Sequence, residues 1–478
     1  MAPETTSFLQ HPIIGRIGVR DADGVVQCLG LKYASLENWF AEAQIMDYPS
    51  EGHLTATRHG PPVIMPHGAV DMEMQLIQQG IPKFDVPPMS DLDGLNLNIA
   101  LPKDCNKASQ LPVLVFVHGG SFTFGSSSYP HYDQSRIVKL SIGMGLIVAF
   151  ETNELHYGGY RSTFLGLEVT RIRSHSSGKV LAQVTQHSTM SILLVSYLKV
   201  TASVDFHLQS EEALFGQAIL FGGSSILLKP LEPEAAESIY NSTIQALALN
   251  EQSPKDRIEF LLSIPAELML SKAANEMIAA SIFNILNLSA RQQGITTSFR
   301  AHLIKTLRQT AASKVLDHYN IRDNTPDEES LLIITQAITD VGYYALSVKL
   351  AESFPGDSVL GHFNEPNPWD GVHVGRANHI LDIAYLWGNY DEKYGLENRR
   401  VARALAEDVL SFVNGGDSLP VFGMEEKKVV VYGPGIDGVS RQILGWDDRA
   451  ARRDGAIFKV AKEAGGLGKL LQALLSFC

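Results

Sequence analysis

Cysteine is scarce in this chain: Cys28, Cys105 and Cys478 are the only three in 478 residues. Three thiols cannot build a disulfide framework, so the fold must rest on a buried core. Long apolar runs are missing too, and none reaches the roughly 18 residues needed to cross a bilayer. The N-terminal stretch MAPETTSFLQHP has neither a basic start nor an apolar run, so no secretory leader is expected and a cytoplasmic location is. Positive charge is in deficit. Lys and Arg number 39 against 52 Asp and Glu, a formal net charge of −13. Such a surface repels phosphate backbones and anionic lipid, so neither nucleic acid nor membrane is an expected partner. Neither cofactor nor metal is expected.

What is present is enough apolar material for a substantial core: 45% of residues are hydrophobic and 19% charged. No internal repeat, low-complexity tract or long linker divides the chain, so residues 1–478 are expected to form a single domain. Leu111 to Val117 and Leu146 to Phe150 are continuous apolar runs suited to strands covered on both faces. Gly216 to Phe221 reads as a third strand, running into the turn Gly222-Gly223-Ser224-Ser225. From 230 to 355 the pattern becomes helical, for example over Pro233 to Leu249 and Ser298 to Thr310. Leu467, Leu470, Leu471, Leu474 and Leu475 make one apolar helical stripe, read as a terminal helix docked on the body. Strands mixed with helices in this way indicate an α/β architecture.

The strongest local signal is His118-Gly119-Gly120-Ser121-Phe122, directly after the first buried strand. Adjacent glycines let backbone N–H groups converge on one point, which is what a tetrahedral oxyanion requires. Gly119, Gly120 and Ser121 are therefore the candidate oxyanion hole; the alternative is a tight structural turn.

Further segments carry a family resemblance, in order along the chain. They are Gly30-Leu31-Lys32-Tyr33-Ala34, Asp93 to Ile99, His118 to Phe122, and Leu214 to Leu220 followed by Gly222-Gly223-Ser224. Near the C-terminus come Phe363-Asn364-Glu365-Pro366-Asn367-Pro368-Trp369 and Gly375-Arg376-Ala377-Asn378-His379-Ile380-Leu381-Asp382. In these the chain resembles the type B carboxylesterase/lipase family, most closely its fungal members. The resemblance implies an α/β-hydrolase fold, with a central, mostly parallel sheet flanked by helices and a helical cap-like region. It implies a small carboxylic ester or lipophilic metabolite as ligand, and His379 as general base.

The resemblance lapses where the nucleophile should stand. The family carries Gly-x-Ser-x-Gly between a strand and a helix, because the strained turn crowds its neighbours. Here Gly178 to Thr185 and Gln186 to Leu194 contain no such motif. In one register Met190-Ser191-Ile192 starts the helix and Gln186 takes the nucleophile position; shifted by two, Ser188 is the nucleophile, between Gln186 and Met190. Ser188 reads equally as a helix N-cap. The triad acid falls on Ala279, with Glu276 a helical turn away. A triad acts as a unit, so these departures bear directly on the chemistry. Three functions follow: an esterase using Ser188 and His379, a repurposed enzyme using His379 alone as acid/base, and a non-catalytic pseudo-esterase. Residues 150–195 also fit a wrongly joined exon.

Overall fold

In the computed structural model the described residues are 5–152, 192–197, 216–222, 233–272 and 292–477, less 12–13, 39–40, 49–51, 106–110, 121–124, 145–147, 266–267, 269–270, 424–425, 436–437 and 447–454. The N-terminal strands β1 (Thr5–His11), β2 (Gly15–Ala22) and β3 (Val25–Lys32) form an antiparallel meander. Two short strands, β4 (Ala34–Ser35) and β5 (Gln44–Ile45), pair only with each other, and β6 (His53–Ala56) lies beside β2. Next come β7 (Asn96–Pro102), β8 (Val113–Val117), β9 (Val148–Thr152), β10 (Ile192–Tyr197) and β11 (Gln217–Phe221). Among the described residues nine strands make one sheet, ordered β1-β2-β3-β7-β9-β8-β10-β11 with β6 off β2.

The sheet has two halves. Along the order from β1 to β9 the ladders are antiparallel, with β6 parallel to β2 off that path, and from β9 to β11 they are parallel. β8 lies at the centre of the parallel half. All five of its residues are buried, as its unbroken apolar run requires of a strand covered on both faces. Of the expected strand at 146–150, Val148 to Phe150 lie in β9, which runs on to Thr152; Leu146 and Ile147 lie outside the described residues.

One expectation is corrected here. Ile192 does not lie in a helix: Ile192 to Tyr197 is β10, paired in parallel with β8 on one side and β11 on the other, while Met190 and Ser191 lie outside the described residues. Six mainly apolar residues fit a buried strand and a buried helical turn equally, and two flanking ladders decide the matter.

Helices α1 (Ala69–Ile77) and α2 (Ser135–Ile142) precede α3 (Pro233–Ala246), α4 (Pro254–Ser263), α5 (Ile295–Thr306), α6 (Gln309–His318) and α7 (Asp327–Ser353). α7 passes through a π-helical stretch at Asp340–Tyr344. It is long and apolar enough to span a membrane by length and composition, yet half of its most apolar window is buried within the protein. The expected helix Ser298 to Thr310 is in fact two. The chain turns extended at Leu307 and Arg308, where Leu307 is buried among the packed helices.

The chain continues through β12 (Leu360–Phe363), α8 (Leu381–Trp387), α9 (Leu396–Val413), β13 (Lys428–Tyr432), β14 (Arg441–Gly445), α10 (Ala456–Glu463) and α11 (Leu467–Leu475). β12, β13 and β14 form a second, three-stranded sheet. On α9, Val401, Leu405, Val409, Phe412 and Val413 face a core that also takes Leu114 and Phe116 of β8 and Trp387 of α8. Phe116 meets Trp387 edge to face at 5.0 Å. Each large side chain so buried contributes about 1.5–3 kcal/mol. A second core joins α5, α6, α7, α10 and α11, and there Leu470, Leu471 and Leu474 dock the terminal helix as the leucine stripe indicates.

Candidate active site

Three pieces of chain converge beyond the C-terminal end of β8, the edge at which open α/β sheets place ligands. The first is the glycine turn. His118 is buried, and its Nδ1 lies 2.8 Å from the Gly119 carbonyl oxygen. A carbonyl only accepts, so Nδ1 carries the hydrogen. Nε2 is then a bare acceptor, buried and without a partner among the described residues. Burial, the dominant influence, pushes the His118 pKa below the ordinary range, so the ring is neutral at pH 7. Gly120 has φ +118° and Gly125 φ +113°, conformations that suit glycine.

The back of this turn is tied to the sheet by Asn98 of β7, which is fully buried. Its Nδ2 donates to the Ser127 carbonyl at 2.9 Å and approaches His59 Nδ1 at 3.2 Å, while its Oδ1 accepts from Gly30 N–H at 2.9 Å. One carboxamide thus joins two of the segments that carry the family resemblance, those at Gly30 and Asn98, to the chain leaving the glycine turn.

The second piece is a buried carboxylate that pattern reasoning passed over. Glu73 is 3% exposed and lies on the stripe of α1 that also buries Ala69, Met74 and Ile77. Its Oε2 accepts from His131 Nε2 and from the Tyr132 hydroxyl, each at 2.8 Å. His131 is wholly buried, and its Nδ1 has no partner among the described residues. The signal for Glu73 was its place on an otherwise apolar face, four residues from both Ala69 and Ile77.

The third piece is the loop that ends at His379. Asn378 Nδ2 donates to the Leu76 carbonyl at 2.8 Å and to the His379 carbonyl at 2.9 Å. Asn367 Nδ2 donates to the Ile77 carbonyl at 3.0 Å and to Asn378 Oδ1 at 2.9 Å. These carbonyls belong to the last turn of α1, where no intrahelical donor remains. Gln78, left-handed at φ 66°, completes the clamp by donating to the Trp369 carbonyl and accepting from His373 N–H. His379 is half-buried, and burial pushes its pKa down to about 4, so it is a neutral base at pH 7. The next residue, Ile380, is buried with φ 68°, a rare conformation for a β-branched side chain.

Glu73 links the pieces electrostatically: its charge favours the protonated forms of both His118 and His379, against the larger effect of burial. Of the candidate residues, the structure describes Gly119, Gly120 and His379. Ser121, Ser188, Gln186, Glu276 and Ala279 lie outside the described residues. β10 does bear on the nucleophile. Parallel to β8, it ends at Tyr197 on the edge shared with His118, whereas Ser188 comes before the strand in the chain. Among the described residues no group of three or more His, Cys, Asp or Glu side chains could hold a metal.

Residues 12–150, from just before β2 through the glycine turn and into β9, match the carboxylesterase family profile. Over that stretch the chain resembles the carboxylesterase family. A cAMP-regulated D2 protein of Dictyostelium discoideum is 36% identical over 74 residues, 14% of each chain. The para-nitrobenzyl esterase of Bacillus subtilis is 24% identical over 297 residues, 59% of this chain and 56% of that protein. The chain therefore matches from about a seventh to little more than half of the length of these curated relatives. A solved PNB esterase structure superposes with a TM-score of 0.67 at 17% identity, covering 94% of this chain and 99% of that one. That likeness is one of fold: the chain has the α/β-hydrolase architecture.

Proposed function

We propose that this chain takes a small or lipophilic carboxylic ester at the edge beyond β8, and hydrolyses it weakly. The observation that carries the reading is the shared edge: the glycine turn leaves β8 there, and one carboxylate lies within electrostatic reach of both His118 and His379. In this reading backbone N–H groups of the turn at Gly119, Gly120 and Ser121 hold the ester carbonyl oxygen, and His379 is the base. The serine is the weak element. Ser188 precedes β10, whereas a nucleophile poised for this edge would follow it.

Purified protein should hydrolyse short-chain p-nitrophenyl esters, or a para-nitrobenzyl ester of the kind that names the Bacillus relative, slowly at best. Ser188→Ala should change that rate little. An oxyanion turn without a working triad retains an acceleration of roughly 10³–10⁴ over water. Robust turnover abolished by Ser188→Ala would restore an ordinary serine esterase. The order of Ser188 and β10 also favours a second reading, in which His379 is an acid/base for a reaction needing no covalent serine. A product formed from a bound metabolite and lost in His379→Ala would identify it, and no turnover of any kind would leave a binding protein.

A further inference from the structure

Glu73 is a fully formed carboxylate site with no assigned task. Its Oε2 is fixed by two donors from the segment that follows the glycine turn, His131 Nε2 and the Tyr132 hydroxyl. One turn further along α1, the Leu76 carbonyl receives Asn378, whose same nitrogen also holds the His379 carbonyl. Glu73 and the backbone of His379 are thus mounted on one helix end through two hydrogen bonds. Burial of the carboxylate keeps water from screening its charge, which makes it effective at distances where a surface carboxylate would not be.

We propose that Glu73 is a positioning residue for His379, supplying from α1 the negative charge that the chain does not carry at position 279. When His379 takes a proton from an attacking hydroxyl it becomes cationic, and the Glu73 carboxylate offsets that charge without itself taking the proton. The charged and titratable groups around the pair are few. His373, beside Arg376, opposes protonation of His379 from the loop side, while His131, Tyr132, His118 and Tyr390 surround Glu73. The inference rests on the reading of His379 as the base, and its test is separate from ester turnover.

The test is the titration of the His379 ring, followed by NMR in protein carrying labelled histidine and assigned with His379→Gln. The wild-type midpoint is expected near pH 4, since burial pushes the His379 ring down to about that value. In Glu73→Gln and in Glu73→Met, which are close to glutamate in size but neutral, the midpoint should fall by about one pH unit. Glu73→Asp, which keeps the charge, should recover most of that fall. A purely structural role would leave the midpoint where it is. An unchanged midpoint in either folded neutral variant overturns the assignment. So does the failure of both neutral variants to fold, since Glu73 would then serve stability. A shifted midpoint in a protein that turns over no ester keeps the pairing and removes the esterase reading; an unchanged midpoint in an active esterase does the reverse.

Discussion

Gly125 lies so close over His118 that a Cβ at position 125 would stand 2.4 Å from the imidazole Nδ1 and 2.3 Å from the Gly119 carbonyl oxygen. The glycine turn is therefore closed by contact between its two limbs, and the hydrogen bond from His118 Nδ1 to Gly119 sits inside that closure.

Gly125→Ala should consequently disturb the turn in two ways. Its φ of +113° is strained for any residue with a Cβ, and the overlap is with backbone that cannot swing aside. A loss of about 2 kcal/mol or more is expected in urea denaturation. A stability equal to wild type would show that the two limbs do not meet.

Asn98→Ala should be as costly for a different reason. It strands the half-buried Gly30 N–H and removes the bond to the Ser127 carbonyl, and an unsatisfied group of this kind costs about 1–3 kcal/mol. Hydrogen exchange at the Gly30 amide should accelerate beyond the change in global stability. Unaltered protection there would remove Asn98 as the tie between sheet and turn.

Asn367 and Asn378 share a hydrogen bond and cap neighbouring carbonyls of α1, so their replacements should not add. Each single alanine variant is expected to lose about 2 kcal/mol. The double variant should lose less than the sum by about 1 kcal/mol, as is usual for residues in direct contact. A double-mutant cycle by denaturation measures this, and strict additivity would contradict the clamp.

His59 gives the stability a pH dependence of known sign. Burial pushes its pKa down to about 4, against about 6.5 in an unfolded chain. The unfolded state thus binds the extra proton first. The stabilisation is complete above pH 6.5 and is lost as pH falls towards 4, by about 3 kcal/mol for a shift of this size. In His59→Gln the unfolding free energy should fall less steeply over that window. Parallel pH profiles for the two proteins would assign the acid sensitivity elsewhere.

The parts legible in the sequence are those set by local pattern. The apolar run ending at Val117 and the glycines after it announced a buried strand and its turn, and the leucines of α11 their docking face. Other parts depend on partners far away in the chain. Glu73 is ionisable on an apolar face, which only its contacts with His131 and Tyr132 make tolerable. Asn98 and Asn367 look like ordinary polar residues until the carbonyls they bond arrive from other segments. Ile380 carries no mark of its left-handed backbone, because the fold around α8 imposes it. β10 was ambiguous for a simpler reason: an apolar run of six residues has no period long enough to read.

The clamp on α1 also bears on how such a protein can change over generations. The hydrogen bonds that hold the glycine turn and the His379 loop run among residues 30–132 and 367–379. They tie β7 and α1 directly to the chain around the glycine turn and before α8, so selection for a stable fold alone would preserve this cradle whether or not turnover were selected.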